Sequence, residues 1–481
     1  MLLSLLPISL KAQSMPHSFT DGDIIYADQI NENFEYLLGT SKSVSIDCSS
    51  SGVGINEAIT QGYNHFKISG TCQENIDIDL SNYRSNRVLF FEGANENAVD
   101  KIQDNSSGDN NVINIDNGSI SVFIINLTIS GGNRGINVSD KTMLGVYESK
   151  IEGYKDIGIA SWSNTVVDVK NVVVDGGNLG RLGIRIGGNS NGTIKDSTVE
   201  NNTSDGIGVY SSSDLWIEKT DVQNNSQNGI QVFNSGHIYL RDDTLLTNNG
   251  NGLSLGRNSS GSIKNIEIQS SEKNGMQIDK GSSVWIENSI INGGKTGIRV
   301  ANNSEAHMYG NIISNFTYSG IQVEDGSVAT IGGNKDSDGN SRGNTITGPI
   351  EKGIHISSNS QAELIANDIS GYSKTGIEVN RNSSVRIGAD WDQDTYSTIQ
   401  RPEYGNTING AELTGESVED WQTGIQVSES STIELHRNLI ENNSGGGIRV
   451  SENSVIELGG GNIIQNNMQR KVMERSMEEE L

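Results

Sequence analysis

Residues 229–251 read GIQVFNSGHIYLRDDTLLTNNGN, and this stretch decides the fold. Ile230 and Val232 alternate with Gln231, and Ile238 and Leu240 alternate with Tyr239. Leu245 lies on a third short stretch after Asp243. Alternation puts every second side chain on one face, so each stretch reads as a short strand with an inward side. Gly, Asn and Ser fill the intervals, as sharp corners require. The motif Gly-apolar-x-apolar recurs at Gly135, Gly183, Gly206, Gly229, Gly252, Gly275, Gly297, Gly320, Gly353, Gly376, Gly424 and Gly447. A degenerate copy stands at Gly158. Between Gly183 and Gly320 the steps are 23, 23, 23, 23, 22 and 23 residues. No helical or coiled-coil period gives such steps; a solenoid with one coil per repeat does. Three strands per coil, with coils about 4.8 Å apart, predict three parallel sheets around a thin core.

One inward column is polar. Asn311, Asn367 and Asn438 stand nine residues before their repeat glycines, and Asn288 takes the equivalent place in the 22-residue coil. Stacked asparagines hydrogen-bond to their neighbours above and below, which makes this column structural. A single coil cannot bury its own strand faces, so the ends need caps. Ile55-Asn56-Glu57-Ala58-Ile59 reads as a short amphipathic helix at the front, followed by Phe66-Lys67-Ile68 as strand. At the back, Met468, Val472, Met473 and Met477 fall near one helical face, so residues 468–481 form a C-terminal tail or cap.

Composition agrees with a thin solenoid. Only 33% of residues are hydrophobic, fewer than a compact globule of 481 residues carries; 57 glycines beside 4 prolines exclude collagen-like and Pro-rich chains. The net charge of −26 argues against nucleic acid, whose phosphates need Lys and Arg. It makes divalent cations plausible partners, although charge alone also serves solubility. Residues 1–14 read as a secretory signal lacking its basic front end: Met1 to Leu10 is apolar and leucine-rich, and Ala12-Gln13-Ser14 offers small residues for cleavage. No later run has the length of a membrane span. Cys48 and Cys72 suit an oxidising compartment, where a disulfide between them would add roughly 3 kcal/mol; the alternative is two buried thiols.

The Gly-Ile-x-Val coils resemble right-handed parallel β-helix repeat proteins of the pectin-lyase-like superfamily. The resemblance covers residues 44–467 and implies the right-handed winding, with about 13 or more coils. The stretch Ile68-Ser69-Gly70-Thr71-Cys72-Gln73-Glu74-Asn75-Ile76 is similar to the N-terminal turn of exported bacterial members, where the cysteine pairs with one just upstream, here Cys48. Residues 15–43, from Pro16-His17-Ser18-Phe19 through Asn31-Glu32-Asn33-Phe34, resemble a leader module with a short helix, found after signal peptides in Gram-negative surface proteins. The resemblance implies a secreted or cell-surface location. The superfamily includes lyases, polygalacturonases, epimerases, phage tailspikes and members without demonstrated activity, so fold does not choose a function.

Local signatures of its enzymes are absent. The chain has neither the clustered Asp pairs and Gly-His-Gly of polygalacturonases nor the Asp-Pro-His-Glu of mannuronan epimerases. Its six histidines form no HExxH or other metal spacing. Three features remain. The first is an outward column of Trp216, Tyr239, Ser262, Trp285 and His307, a candidate stacking platform for the apolar faces of sugars. Aromatic residues also favour exposed strand positions and pack on one another. The second is the outward row Arg185, Gln231, Gln277, Arg299, Gln322, His355 and Glu378. It can bind hydroxyls and carboxylates, or be a solvated face; Arg299, His355 and Glu378 are its candidate catalytic groups.

The third is a pair of insertions, near 332–346 and 388–420. Asn334, Asp336, Asp338 and Asn340, with Gly339 between, resemble the start of an EF-hand-type loop, and Asp390, Asp392 and Asp394 make a lesser candidate; both make calcium a possible cofactor. Neither loop supplies the Glu that completes such a site, and acidic loops are commonly solvated turns. The second insertion also brings Trp391, Tyr396, Tyr404 and Trp421 into one excursion, where a cleft near Arg381, Arg386, Glu378 and His355 is expected. The reading that follows is a β-helix binding polysaccharide along an outward face. Its alternatives are a polysaccharide lyase, C5-epimerase or glycoside hydrolase, and a structural or adhesive spacer. The repeat sets no oligomeric state.

Overall fold

A computed structural model describes residues 42–50, 52–79, 88–116, 118–333, 342–348, 350–388, 405–410 and 422–467. The signal segment, the leader up to residue 41, the C-terminal tail, all seven candidate calcium residues and the four aromatic residues of the second insertion lie outside them. Short parallel strands repeat from Ser43–Asp47 to Ile463–Gln465, about one residue step of 23 per turn. Each coil contributes three. Its first-face strand carries the glycine motif, as in Asn228–Phe233; its second-face strand follows, as in His237–Arg241; its third-face strand is the shortest, as in Leu245–Thr247.

Every pairing is parallel and joins one coil to the next, so one inward position becomes a column. Ile207, Ile230, Leu253, Met276, Ile298, Ile321, Ile354, Ile377, Ile425 and Ile448 are in direct register. Ile230, Val232, Ile238 and Leu240 are fully buried as expected, and on the third strand it is Leu246 that faces the core while Leu245 turns outward. The second face is one 17-stranded sheet. The first and third faces fuse into one 29-stranded sheet, because Ile290–Val300 and Ile312–Val323 run unbroken around their shared corner.

Corners explain the composition. Between first and second faces two successive residues adopt positive φ, as at Asn234 and Ser235 or Asn302 and Asn303. The other two corners use single such residues, for example Asp243 and Asn248. Asn and Asp enter this region most readily after Gly. The repeat glycine has another cause. A Cβ on Gly229 would stand 2.7 Å from the Gly252 carbonyl oxygen of the next coil, so close coil stacking excludes a side chain there.

The asparagine column is a ladder. Asn311, Asn344, Asn367, Asn406, Asn438 and Asn462 follow one another, each Nδ2 donating to the next Oδ1 at 2.8–3.1 Å. Asn288 is not a member: Ser289 fills the rung below Asn311, and Asn288 sits at the corner with φ 51°. The 22-residue coil has lost its residue after this point, so counting back from the glycine lands one place early. A second ladder, Asn202, Asn225 and Asn249, begins where Tyr154 donates to Asn202 Oδ1 at 2.7 Å.

The front end is closed as expected. Helix Ile55–Thr60 buries Ile55, Ala58 and Ile59. Its N-terminal N–H groups have no cap from Gly54; instead Glu74, one coil on, accepts from Ile55 at 2.8 Å and Asn56 at 2.9 Å. A carboxylate at a helix N-terminus is favoured by unpaired N–H groups and the helix dipole. Cys48 and Cys72 form a disulfide beside this cap, with Cα atoms 4.9 Å apart. Among the described residues no helix is long and apolar enough to cross a membrane.

Candidate functional site

The second face places the aromatic column in register. Thr193, Trp216, Tyr239, Ser262, Trp285, His307 and Thr330 occupy equivalent outward positions on seven successive strands. Trp216, Tyr239 and Trp285 stay about 40% exposed, at 39%, 37% and 41%. They do not form one continuous platform. Trp216 stacks on Tyr239 at 5.4 Å between centroids, and Trp285 lies 5.3 Å from His307 and 4.8 Å from Tyr309. Between the two groups stands only Ser262. Two coil steps separate Tyr239 from Trp285, about 9.6 Å at ordinary strand spacing. The result is a slot with an aromatic ring on each side, whose floor at Ser262 is covered in part by Arg241.

Cations edge the slot. Arg241 donates from Nη2 to Ser262 Oγ at 2.8 Å, and its guanidinium lies 5.9 Å from the rings of both Trp216 and Tyr239. Arg342 covers Tyr309 at 4.0 Å and lies 5.9 Å from Trp285. Lys264 also flanks the slot, paired with Glu287 at 3.4 Å. His237 meets Tyr239 edge-on at 4.4 Å, and burial lowers its pKa. The alternation in the sequence gives five column residues, Trp216 to His307, but not Arg241 and Tyr309. Both stand two residues after a column member, so the same alternation places them beside it.

The first-face row is equally in register: Arg185, Gly208, Gln231, Ser254, Gln277, Arg299, Gln322, His355 and Glu378. The three candidate catalytic residues therefore lie on one line, with Gln322 between Arg299 and the other two. Arg299 is paired with Glu324, which Gln322 also holds at 2.7 Å. His355 is buried, and neither ring nitrogen makes a hydrogen bond. Its Nε2 stands 3.7 Å from Glu378, whose carboxylate is taken by Lys352 at 3.0 Å and by Asn380 at 2.8 Å. Burial and then the Lys352 charge push the His355 pKa down to about 4, against the pull of Glu378. The imidazole is therefore neutral at pH 7. Among the described residues no three His, Cys, Asp or Glu side chains are grouped closely enough to hold a metal ion.

Geometry thus defines the class: an all-β parallel solenoid whose outward columns carry its distinctive side chains. The chain belongs to the family described as right handed beta helix region, whose model matches residues 111–261, 182–336, 240–390 and 337–476. It has no match among curated proteins. Solved structures similar to it include the periplasmic alginate epimerase AlgG, at 13% identity and TM-score 0.38, covering 73% of this chain and 78% of that one. The A-module of the Azotobacter vinelandii mannuronan C-5 epimerase AlgE4 has 12% identity and TM-score 0.32, covering 89% and 98%. The catalytic unit of the GH87 α-1,3-glucanase from Streptomyces thermodiastaticus has 9% identity and TM-score 0.33, covering 89% and 70%.

Proposed function

We propose that this chain is an exported β-helix protein that binds polysaccharide, holding one sugar ring in the slot between Tyr239 and Trp285. The carrying observation is the break in the aromatic column at Ser262, with a half-exposed ring on either side. Sugar rings present apolar C–H faces to aromatic rings and hydroxyls to polar groups at the edge. The slot offers both, with Arg241 and the Ser262 hydroxyl as the polar edge. The disulfide fits an oxidising compartment outside the cytosol.

The test uses two opposite changes. Trp285→Ala removes a wall; Ser262→Trp fills the slot from an outward position. Both should abolish retardation of the purified protein in gels containing soluble neutral polysaccharides. If Ser262→Trp binds as well as or better than wild type, the rings act as an open platform and the slot is wrong. If no polysaccharide retards the wild-type protein, glycan binding itself fails, and the spacer reading takes its place.

A second reading, bond cleavage or epimerisation, has His355 as its specific support: a buried imidazole with both nitrogens unpaired beside Glu378. A general base works best with a pKa near the operating pH, and about 4 is far below it. Binding therefore stands first. Incubation with soluble neutral and acidic polysaccharides should yield no shortened chains, no unsaturated ends and no C5-inverted uronate; product that disappears in His355→Gln would reverse the order.

A further inference from the structure

On the first face, three coils before the one that carries Ser262, three arginines converge on an acidic protein. Arg134 and Arg181 share one carboxylate, Asp156, at 3.6 Å and 2.7 Å. Arg185 has no carboxylate partner among the described residues. Its guanidinium is stacked 3.7 Å from the Trp162 ring, and Nη1 donates to the Ser161 carbonyl at 2.6 Å. The ring beneath is itself fixed: Trp162 Nε1 donates to Asn137 Oδ1 at 2.7 Å, and Arg134 donates to the same oxygen at 2.8 Å. Tyr210 closes the other side, 5.4 Å from the guanidinium, with its hydroxyl donating to Gln231 at 3.2 Å. Asp205 does not supply the missing charge. It is 5% exposed, holds Asn228 at 2.7 Å, and burial raises its pKa.

The chain makes room for this arrangement. A Cβ on Gly208, between Arg185 and Gln231 in the row, would stand 2.3 Å from the Tyr210 ring. One on Gly187 would stand 2.5 Å from Arg185 Nη1. A partly buried cation costs desolvation that a counter-ion normally offsets. Burial opposes the Arg185 charge most, Tyr210 partly offsets this, and the two neighbouring guanidiniums repel it. A fixed, stacked guanidinium with spare N–H groups is the side chain best suited to an oxyanion.

We propose that Arg185, flanked by Arg134, Arg181 and Tyr210, is an oxyanion site for a carboxylated or sulfated saccharide. The polar residues that follow in the same row, Gln231, Ser254 and Gln277, offer one hydroxyl-binding group per coil beyond it. This site is on a different face from the slot and does not depend on it.

The test is calorimetric titration at constant ionic strength in chloride, with oligogalacturonate, a sulfated galacto-oligosaccharide and the neutral galacto-oligosaccharide as probes. Wild type should bind at least one acidic probe about tenfold or more tightly than the neutral one, and Arg185→Gln should lose that preference. The affinity for the neutral probe should be the same in wild type and Arg185→Gln, which separates this site from the slot. Which acidic probe binds distinguishes carboxylate from sulfate. Arg185→Gln should also melt no lower than wild type in the absence of probe, because it removes an uncompensated charge. Equal acidic binding in Arg185→Gln, or no acidic binding in wild type, would overturn the proposal. A lower melting temperature in Arg185→Gln together with no binding in wild type would assign Arg185 to stacking alone.

Discussion

His355 shows how one side chain can point outward and still not be a surface residue. It occupies a first-face row of polar groups, yet it is buried with unpaired nitrogens beside Lys352 and Glu378. Its folded pKa of about 4 lies below the ordinary value of 6.5. Between those values the unfolded chain binds a proton that the folded chain refuses. The stability this neutral imidazole contributes is therefore complete above pH 6.5 and is lost as pH falls from 6.5 towards 4. The melting temperature of wild type should drop through this window more steeply than that of His355→Gln, which has nothing to titrate there. Parallel curves for the two proteins would mean that the imidazole is solvated and its pKa ordinary. Arg299, two strands away in the same row, makes the opposite point: its pairing with Glu324 spends the charge that a uronate would need.

At the level of the element, the asparagine ladder is what keeps coil corners in register. Each Oδ1 accepts from both the backbone N–H and the Nδ2 of the asparagine one coil earlier, as Asn367 does for Asn344 at 3.0 and 2.9 Å. Nδ2 of Asn367 also donates to the Ile331 carbonyl. Asn367→Leu would strand several buried polar groups at once, at about 1–3 kcal/mol each. Asn462→Leu, on the half-exposed last rung, interrupts the ladder only at its end, and Asn438 Nδ2 keeps the Ile387 carbonyl. Thermal unfolding should therefore show a much larger loss for Asn367→Leu than for Asn462→Leu; equal losses would mean the ladder carries no cooperative load. Asn311, Asn367 and Asn438 are legible from their fixed offset to the repeat glycine; Asn288 is a misreading, where a missing residue shifts the count, and Asn344, Asn406 and Asn462 are rungs that only the structure adds. The serine rungs were not legible. Ser259, Ser282 and Ser304 accept or relay corner N–H groups coil to coil, but in sequence they look like turn filler. For the site, period-two alternation gave Trp216, Tyr239, Trp285 and His307. It could not give which rings touch, because stacking and the gap at Ser262 depend on side-chain directions. Nor could it give the contact of Trp162 with Arg185, which joins a corner residue to a strand across a coil of 25 residues from Gly158 to Gly183.

The whole molecule is a one-dimensional stack, and each coil touches its neighbours above and below. Its front is closed by the cap helix and the disulfide, while the last described coils leave Val455 and Leu458 exposed at 57% and 63%. In such a stack, removal of one complete repeat should join two in-register surfaces and preserve the fold. Residues 252–274 form one complete repeat, from one motif glycine to the residue before the next. Deleting them would place Gly275 where Gly252 stood and pair the strand of Tyr239 directly with that of Trp285. The slot over Ser262 would vanish, and Trp216, Tyr239, Trp285 and His307 would become a continuous ladder. Deleting residues 353–375 removes another complete repeat and leaves the slot untouched. Both shortened proteins should keep the parallel-β circular dichroism of the parent and a cooperative melt. Only the first should lose retention by neutral polysaccharide. If the first deletion retains binding, one sugar held between two walls is not the mode of recognition, and an open aromatic ladder is. If the second deletion loses binding while staying folded, the ligand runs along more coils than the slot contains, and its far end must lie on the strands around His355.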